Sequence, residues 1–405
     1  MRPRAGELLT LLLASAGLVS LGLPEGLLGV AWPSIRATFG LSLDALGMLL
    51  ATFAAGYFLA SAVHGRVLAR VGIGPVLSLS CALTGACLVG YSLAPSWPLM
   101  VALGAAVGVG GGTIDAALNV YAAVRYGPRV LNILHAAFGL GAAVGPLIMT
   151  TILSRGGAWN LGYLAVGLAQ LGLAVSYGVL RRRFGTVRSV AQQLQADSIR
   201  MLLRQPLAWT SIALFGVYAG LEVAAGQWSF SLFTEARGIS ATTAGVWVSA
   251  YWASLTAGRL IFGFVVGHVA VEALLRACTV GAVAATSLMW LNLAPTLALA
   301  VVGLALAPIF PSLIATSPGR FAGRHTADVI GLQVAAAVLG GASLPGLIGV
   351  LAARLGLEAV GPCLVALAGA ILVLHEGLLR LSRACERPRS ARSRTDAVAS
   401  SPPGA

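Results

Sequence analysis

The chain has 405 residues, 58% of them hydrophobic and 10% charged, with a mean hydropathy of +0.89. This balance excludes a water-soluble globule and describes a polytopic membrane protein. The formal net charge of +13 is carried by 26 arginines and no lysine, which in a soluble chain would suggest nucleic-acid binding.

A membrane-spanning helix needs about 20 apolar residues. Short breaks rich in Gly, Pro and Arg divide this sequence into about twelve such runs, near 8–37, 43–68, 75–94, 97–124, 130–154, 158–180, 207–234, 240–265, 269–292, 295–317, 326–353 and 357–381. Several runs exceed the minimum, which implies tilt, kinks or extension beyond the bilayer. The first follows Arg2 and Arg4 as a secretory signal would, yet it continues through Glu25 to Trp32 with no small-residue cleavage site. It is therefore read as a spanning helix. The predicted organisation is a six-helix half over 1–182, a cytoplasmic linker over 183–206, a second six-helix half over 207–382, and a disordered cytoplasmic tail over 383–405. The linker carries Arg181, Arg182, Arg183, Gln192, Gln193, Gln195 and Asp197, and the tail is rich in Arg, Ser and Pro and cannot bury a core.

With the amino terminus in the cytoplasm, 22 of the 26 arginines fall on the cytoplasmic side. Only Arg36, Arg155, Arg237 and Arg354 remain for the outside. Such an asymmetry orients an integral multi-pass protein of the plasma (inner) membrane with both termini inside. The basic charge then reads as topology signal and lipid-headgroup contact, not as a nucleic-acid surface. Cys81, Cys87, Cys278 and Cys363 lie within spans and Cys385 in the tail; none has metal-ligand spacing, so they read as packing residues.

Three acids stand inside apolar runs: Glu25, Asp115 and Glu222. An intramembrane carboxylate is costly enough to mark a functional site. Asp115 and Asn119, four apart, project from one face of the fourth span, and Gly108, Gly110, Gly111 and Gly112 just before them permit close helix approach. Glu25 sits in Gly22-Leu23-Pro24-Glu25-Gly26, where proline and glycine weaken the helix and free backbone groups. The seventh span offers a rough counterpart in Gly216 to Glu222, followed by Gln227-Trp228. Pro308 and Pro311 in the tenth run, and Pro345-Gly346 in the eleventh, mark expected bending points.

The halves also resemble each other: Leu59-Ala60-Ser61-Ala62-Val63-His64-Gly65-Arg66 aligns with Trp252-Ala253-Ser254-Leu255-Thr256-Ala257-Gly258-Arg259. A repeat offset by six helices is the mark of a duplicated transporter. Six plus six helices with a Gly-Arg pair closing the second span resemble the major facilitator superfamily. Its loop motif, Gly-Arg-x-x-Asp-Arg-x-Gly-Arg-Arg, survives here as Gly65-Arg66-Val67-Leu68-Ala69-Arg70-Val71-Gly72-Ile73-Gly74, without the Asp and the last two arginines. The resemblance assigns Arg66, Arg70 and Arg259 to gating. A narrower resemblance, to the fucose permease branch with its sugar/proton symporters, runs through Asp115-Ala116-Ala117-Leu118-Asn119, Gly127-Pro128, Leu131-Asn132-Ile133-Leu134-His135 and Gly141-Ala142. That branch has a glutamine where His135 stands, and an acid on its first span.

The resulting expectation is an all-α membrane protein, two six-helix halves around a central cavity, working by alternating access. Burial raises the pKa of a carboxylate, so it can load a proton near neutral pH and release it when solvent returns. Asp115 is the first choice for proton coupling, its alternative role being a bond to a neighbouring helix that fixes packing, and Glu25 is the second. Asn119, Asn132, His135, Glu222, Gln227 and Trp228 are the candidates for substrate binding, since amides and carboxylates bond hydroxyls and a ring stacks on the C–H face of a sugar. Trp228 has an equal claim as an interfacial anchor, and His135 as a core histidine. No zinc, phosphate-loop or nucleophile-elbow motif argues for an enzyme, and no cofactor is implied. The expected partners are a small-molecule substrate, protons before sodium, and lipid, around a monomer. A proton-driven efflux antiporter and a non-transporting membrane sensor of the same fold are the alternatives.

Overall fold

The computed structural model describes residues 5–125, 128–184, 202, 204–265, 269–321 and 326–399, and among them regular structure is entirely helical. The first half comprises α1 (Ala5–Phe39), α2 (Leu46–Val71), α3 (Ile73–Leu93), α4 (Trp97–Arg125), α5 (Pro128–Ser154) and α6 (Asn160–Val179). The second comprises α7 (Pro206–Ser231), α8 (Ala241–Val265), α9 (Val271–Trp290), α10 (Pro295–Leu306), α11 (Ile309–Arg320), α12 (Thr326–Leu355) and α13 (Val360–Ala399). Among the described residues, eleven segments are long and apolar enough to cross a bilayer, with α10 and α11 together forming one of them. The twelfth span is α8, whose hydropathy is diluted by Thr, Ser, Tyr and Arg259.

Packing repeats between the halves. In the first, α1 packs on α5, α2 on α4 and α3 on α6; in the second, α7 packs on α12, α8 on α10 and α9 on α13. Each pairing recurs six spans later, which is the signature of a duplicated bundle. With no hydrophobic drive between helices in lipid, small residues let backbones approach. A Cβ on Gly108 of α4 would overlap the carbonyl of Phe53 in α2, and one on Gly56 of α2 would overlap that of Ala105 in α4.

Pro308 divides the tenth span as expected. Proline has no N–H to donate, so the helix ends at Leu306 and restarts at Ile309. Pro24 does not have that effect: α1 runs without a break from Ala5 to Phe39 with Pro24 and Pro33 inside it. The expected linker lies mostly outside the described residues, at 185–201 and 203. Before it, a 3-10 turn at Arg181–Phe184 buries Phe184 against Tyr121 and Tyr177. The stretch from 383 onward, expected to lack structure, continues α13 as helix to Ala399, its Arg- and Ala-rich composition favouring helix over coil; residues 400–405 lie outside the description. Cys81, Cys87, Cys278 and Cys363 are free thiols, the first three buried.

Candidate transport site

The three intramembrane acids come from α1, α4 and α7. On α4, both oxygens of Asp115 accept hydrogen bonds: Oδ2 from the Tyr57 hydroxyl of α2 at 2.7 Å, and Oδ1 from Asn119 Nδ2 at 3.1 Å. The second bond is the one-turn contact that the spacing of four predicts. On α7, Glu222 Oε1 meets Arg259 Nη2 of α8 at 3.0 Å, with the two side chains only 13% and 20% exposed. Tyr251 of α8 donates its hydroxyl to the backbone oxygen of Glu222 at 2.7 Å, and Tyr218, one turn before Glu222, is buried beside the pair.

Glu25 of α1 stands between these two groups, within electrostatic reach of Glu222, Arg259 and Tyr57. Its side chain is half-buried and forms no hydrogen bond or ion pair with the described residues. His135 of α5 is exposed toward the same space and feels both Asp115 and Arg259. The result is a polar island of three carboxylates, one guanidinium and one imidazole built from both halves. Two acids are engaged and one is free.

Arg259 lies six residues before the end of α8 at Val265, and its guanidinium turns to Glu222. Removing either member would leave a buried charge unpaired, a change far costlier than the pair itself. Gln227 and Trp228 do not join the island. Gln227 is 1% exposed and gives Nε2 to the backbone oxygen of Glu25 at 3.1 Å, tying α7 to α1. Trp228 is fully buried, its indole N–H bonded to the Pro345 oxygen of α12 at 2.9 Å. Arg70 is exposed on the last turn of α2. The side chains of Arg66 and Asn132 lie outside the description. Tyr57, Tyr218 and Tyr251 were missed by sequence reasoning; the spacing of four between Tyr218 and Glu222 was a usable signal.

The halves meet on the face away from the N-terminus, called here the far face. There Arg36 at the end of α1 pairs with Glu235, which follows α7 in a π-helical turn at Leu232–Ala236. The wider π turn re-aims the side chain at the helix end. Gly47 of α2 lies against Gly346 of α12, with a Cβ on either meeting the other's Cα at 3.1 Å. Ser249 of α8 donates to the Ala143 oxygen of α5 at 2.6 Å. Among the described residues, the cross-half ion pair and the Ser249 bond lie on this side of the island.

The profile of the Major Facilitator Superfamily matches residues 14–345. Bypass of stop codon protein 6 of Saccharomyces cerevisiae is 21% identical over 380 residues, covering 84% of this chain and 76% of that protein. Among solved structures, a nucleoside transporter superposes with a TM-score of 0.76 at 13% identity over 92% of this chain and 99% of that one. The fucose:proton symporter of E. coli superposes with a TM-score of 0.63 at 14% identity over 93% and 99%.

Proposed function

Because the chain belongs to the major facilitator superfamily, a family of membrane transporters and not of enzymes, we propose that it takes up a sugar or another small polar metabolite together with protons, by alternating access. The observation that carries this reading is the polar island between the halves. Acids from α1, α4 and α7 converge with Arg259 and His135 in a space otherwise walled by apolar helices.

The geometry sets an order among the acids. Asp115 already accepts two hydrogen bonds and Glu222 already holds Arg259, so both are committed to partners within the protein. Glu25 is free to take a proton or a substrate hydroxyl without giving one up. Proton coupling is therefore shared by Glu25 and Asp115, with Glu25 as the loading group and Asp115 as its fixed neighbour. Asn119 and His135 supply the hydroxyl contacts, and Glu222 with Arg259 closes the site from the second half. With both termini in the cytoplasm of a plasma-membrane monomer, the closed far face is the outer gate and this conformer opens inward, with Arg36–Glu235 fastening that gate.

Two structural neighbours, a fucose:proton symporter and a nucleoside transporter, support a polyhydroxylated ligand. The test is uptake of radiolabelled hexoses, pentoses and nucleosides into proteoliposomes under an inward proton gradient. At least one accumulates and is released by a protonophore if the proposal holds. A compound expelled against its gradient under the same force would make the protein an exporter instead.

A further inference from the structure

On the far face of the second half, Arg237 follows the π-helical turn that carries Glu235. Its backbone N–H closes that turn on the Leu232 oxygen at 3.2 Å. Its side chain, 6% exposed, folds back so that the guanidinium lies 5.9 Å from the centre of the buried Phe233 ring. A guanidinium has five N–H groups, and all five are bonded here. Nε and Nη2 grip the two oxygens of Glu358 at 2.9 Å each, in the 3-10 turn at Leu357–Ala359 between α12 and α13. Nη2 also reaches the Trp290 oxygen at 3.1 Å, while Nη1 donates to the Met289 oxygen at 2.8 Å and to Asn292 Oδ1 at 3.2 Å.

One side chain thereby joins three connections of the second half. Met289 and Trp290 close α9, and the last carbonyls of a helix lack intrahelical partners and favour a cation. Beyond them Asn292 and Ala294 hold left-handed backbone, φ 55° and 45°, which residues other than glycine keep where their surroundings impose it. The π turn needs the same support. Its winding is rare, and a return to α winding would swing Glu235 round the helix axis, away from its present direction. Direction matters because the pair of Glu235 with Arg36 is 31% and 23% exposed, and an exposed pair loses its gain to the entropy of fixing two long side chains. Arg36 stands on the last turn of the continuous α1, whereas Glu235 owes its direction to the turn that Arg237 fastens. We infer that Arg237 is a positioning residue for far-face closure, its five bonds fixing the π turn so that Glu235 meets Arg36. The inference rests on the reading of that ion pair as part of the gate.

The test places spin labels on the full-length protein at Ser96 and Thr242, exposed on the far side of the two halves and outside the Arg237 contacts. Arg36→Gln raises the ratio of far-open to closed molecules by about 1.4- to 5-fold, the range for a partly exposed ion pair. Arg237→Lys keeps the charge but cannot form the fork. It reproduces the Arg36→Gln shift, and adding Arg36→Gln to it gives less than half of the usual effect. Glu358→Ala, at an exposed position, removes the acceptor of two of the five bonds and decides the matter should the lysine variant fold poorly. A merely stabilising role would lower the melting temperature and leave the Arg36→Gln effect whole, and that result overturns the inference. Unchanged distances for Arg36→Gln in the otherwise wild-type chain overturn the gate reading itself, and the inference with it.

Discussion

Closing the far face requires the backbones of α2 and α12 to touch at Gly47 and Gly346, where any side chain would intrude. A Cβ on Gly47 falls 3.1 Å from the Gly346 Cα, 3.7 Å from its carbonyl carbon and 3.8 Å from its oxygen. Carbon atoms rest at about 3.5–4.0 Å. Alanine would thus force the helices apart by a few tenths of an ångström, whereas leucine must displace the backbone itself. Overpacking of this kind costs roughly 1–3 kcal/mol. The strain exists only while the far face is shut, so Gly47→Leu shifts the balance between conformers by about 5- to 150-fold toward the state open at that face. Spin labels at Ser96 and Leu293, exposed in loops of the two halves on the far side, report the shift as a longer distance population. An unchanged distance distribution in Gly47→Leu would refute the assignment of this crossing as the closure point.

Arg36→Gln should favour the same far-open state more weakly, since a partly exposed ion pair contributes about 0.2–1 kcal/mol; the exchange Arg36→Glu with Glu235→Arg should restore the original distances. Arg259→Gln should lower thermal stability by about 3–5 kcal/mol by stranding Glu222, and adding Glu222→Gln should recover most of it, as read by unfolding in detergent. Trp228→Phe should cost about 1 kcal/mol of stability through the lost bond to Pro345 and leave substrate affinity unchanged in a binding assay, because its ring is fully buried against α12.

The spans were legible because an apolar run bounded by Gly, Pro or Arg has few other fates in a membrane. The fourth, read as 97–124, is Trp97–Arg125, and the sixth, read as 158–180, is Asn160–Val179. The break at Pro308 was legible for the same local reason, a missing donor. Continuity through Pro24 was not, because neighbouring helices decide whether a proline kinks or merely sits in a helix. The acids announced themselves by charge in an apolar context. Their partners did not: Tyr57 lies 58 residues from Asp115 and Arg259 lies 37 from Glu222, so only packing brings them together. The burial of Trp228 against α12 was not legible because α7 is apolar around most of its circumference and marks no one face in sequence.

The central claim is that substrate and proton move through one island in which Glu25 is the free carboxylate. It is tested most directly by adding substrate to proteoliposomes without an imposed gradient and following external pH with a trapped-out dye. The wild type should alkalinise the medium as substrate enters, and Glu25→Gln should bind substrate yet give no pH change. Alkalinisation at the wild-type rate in Glu25→Gln would contradict the account.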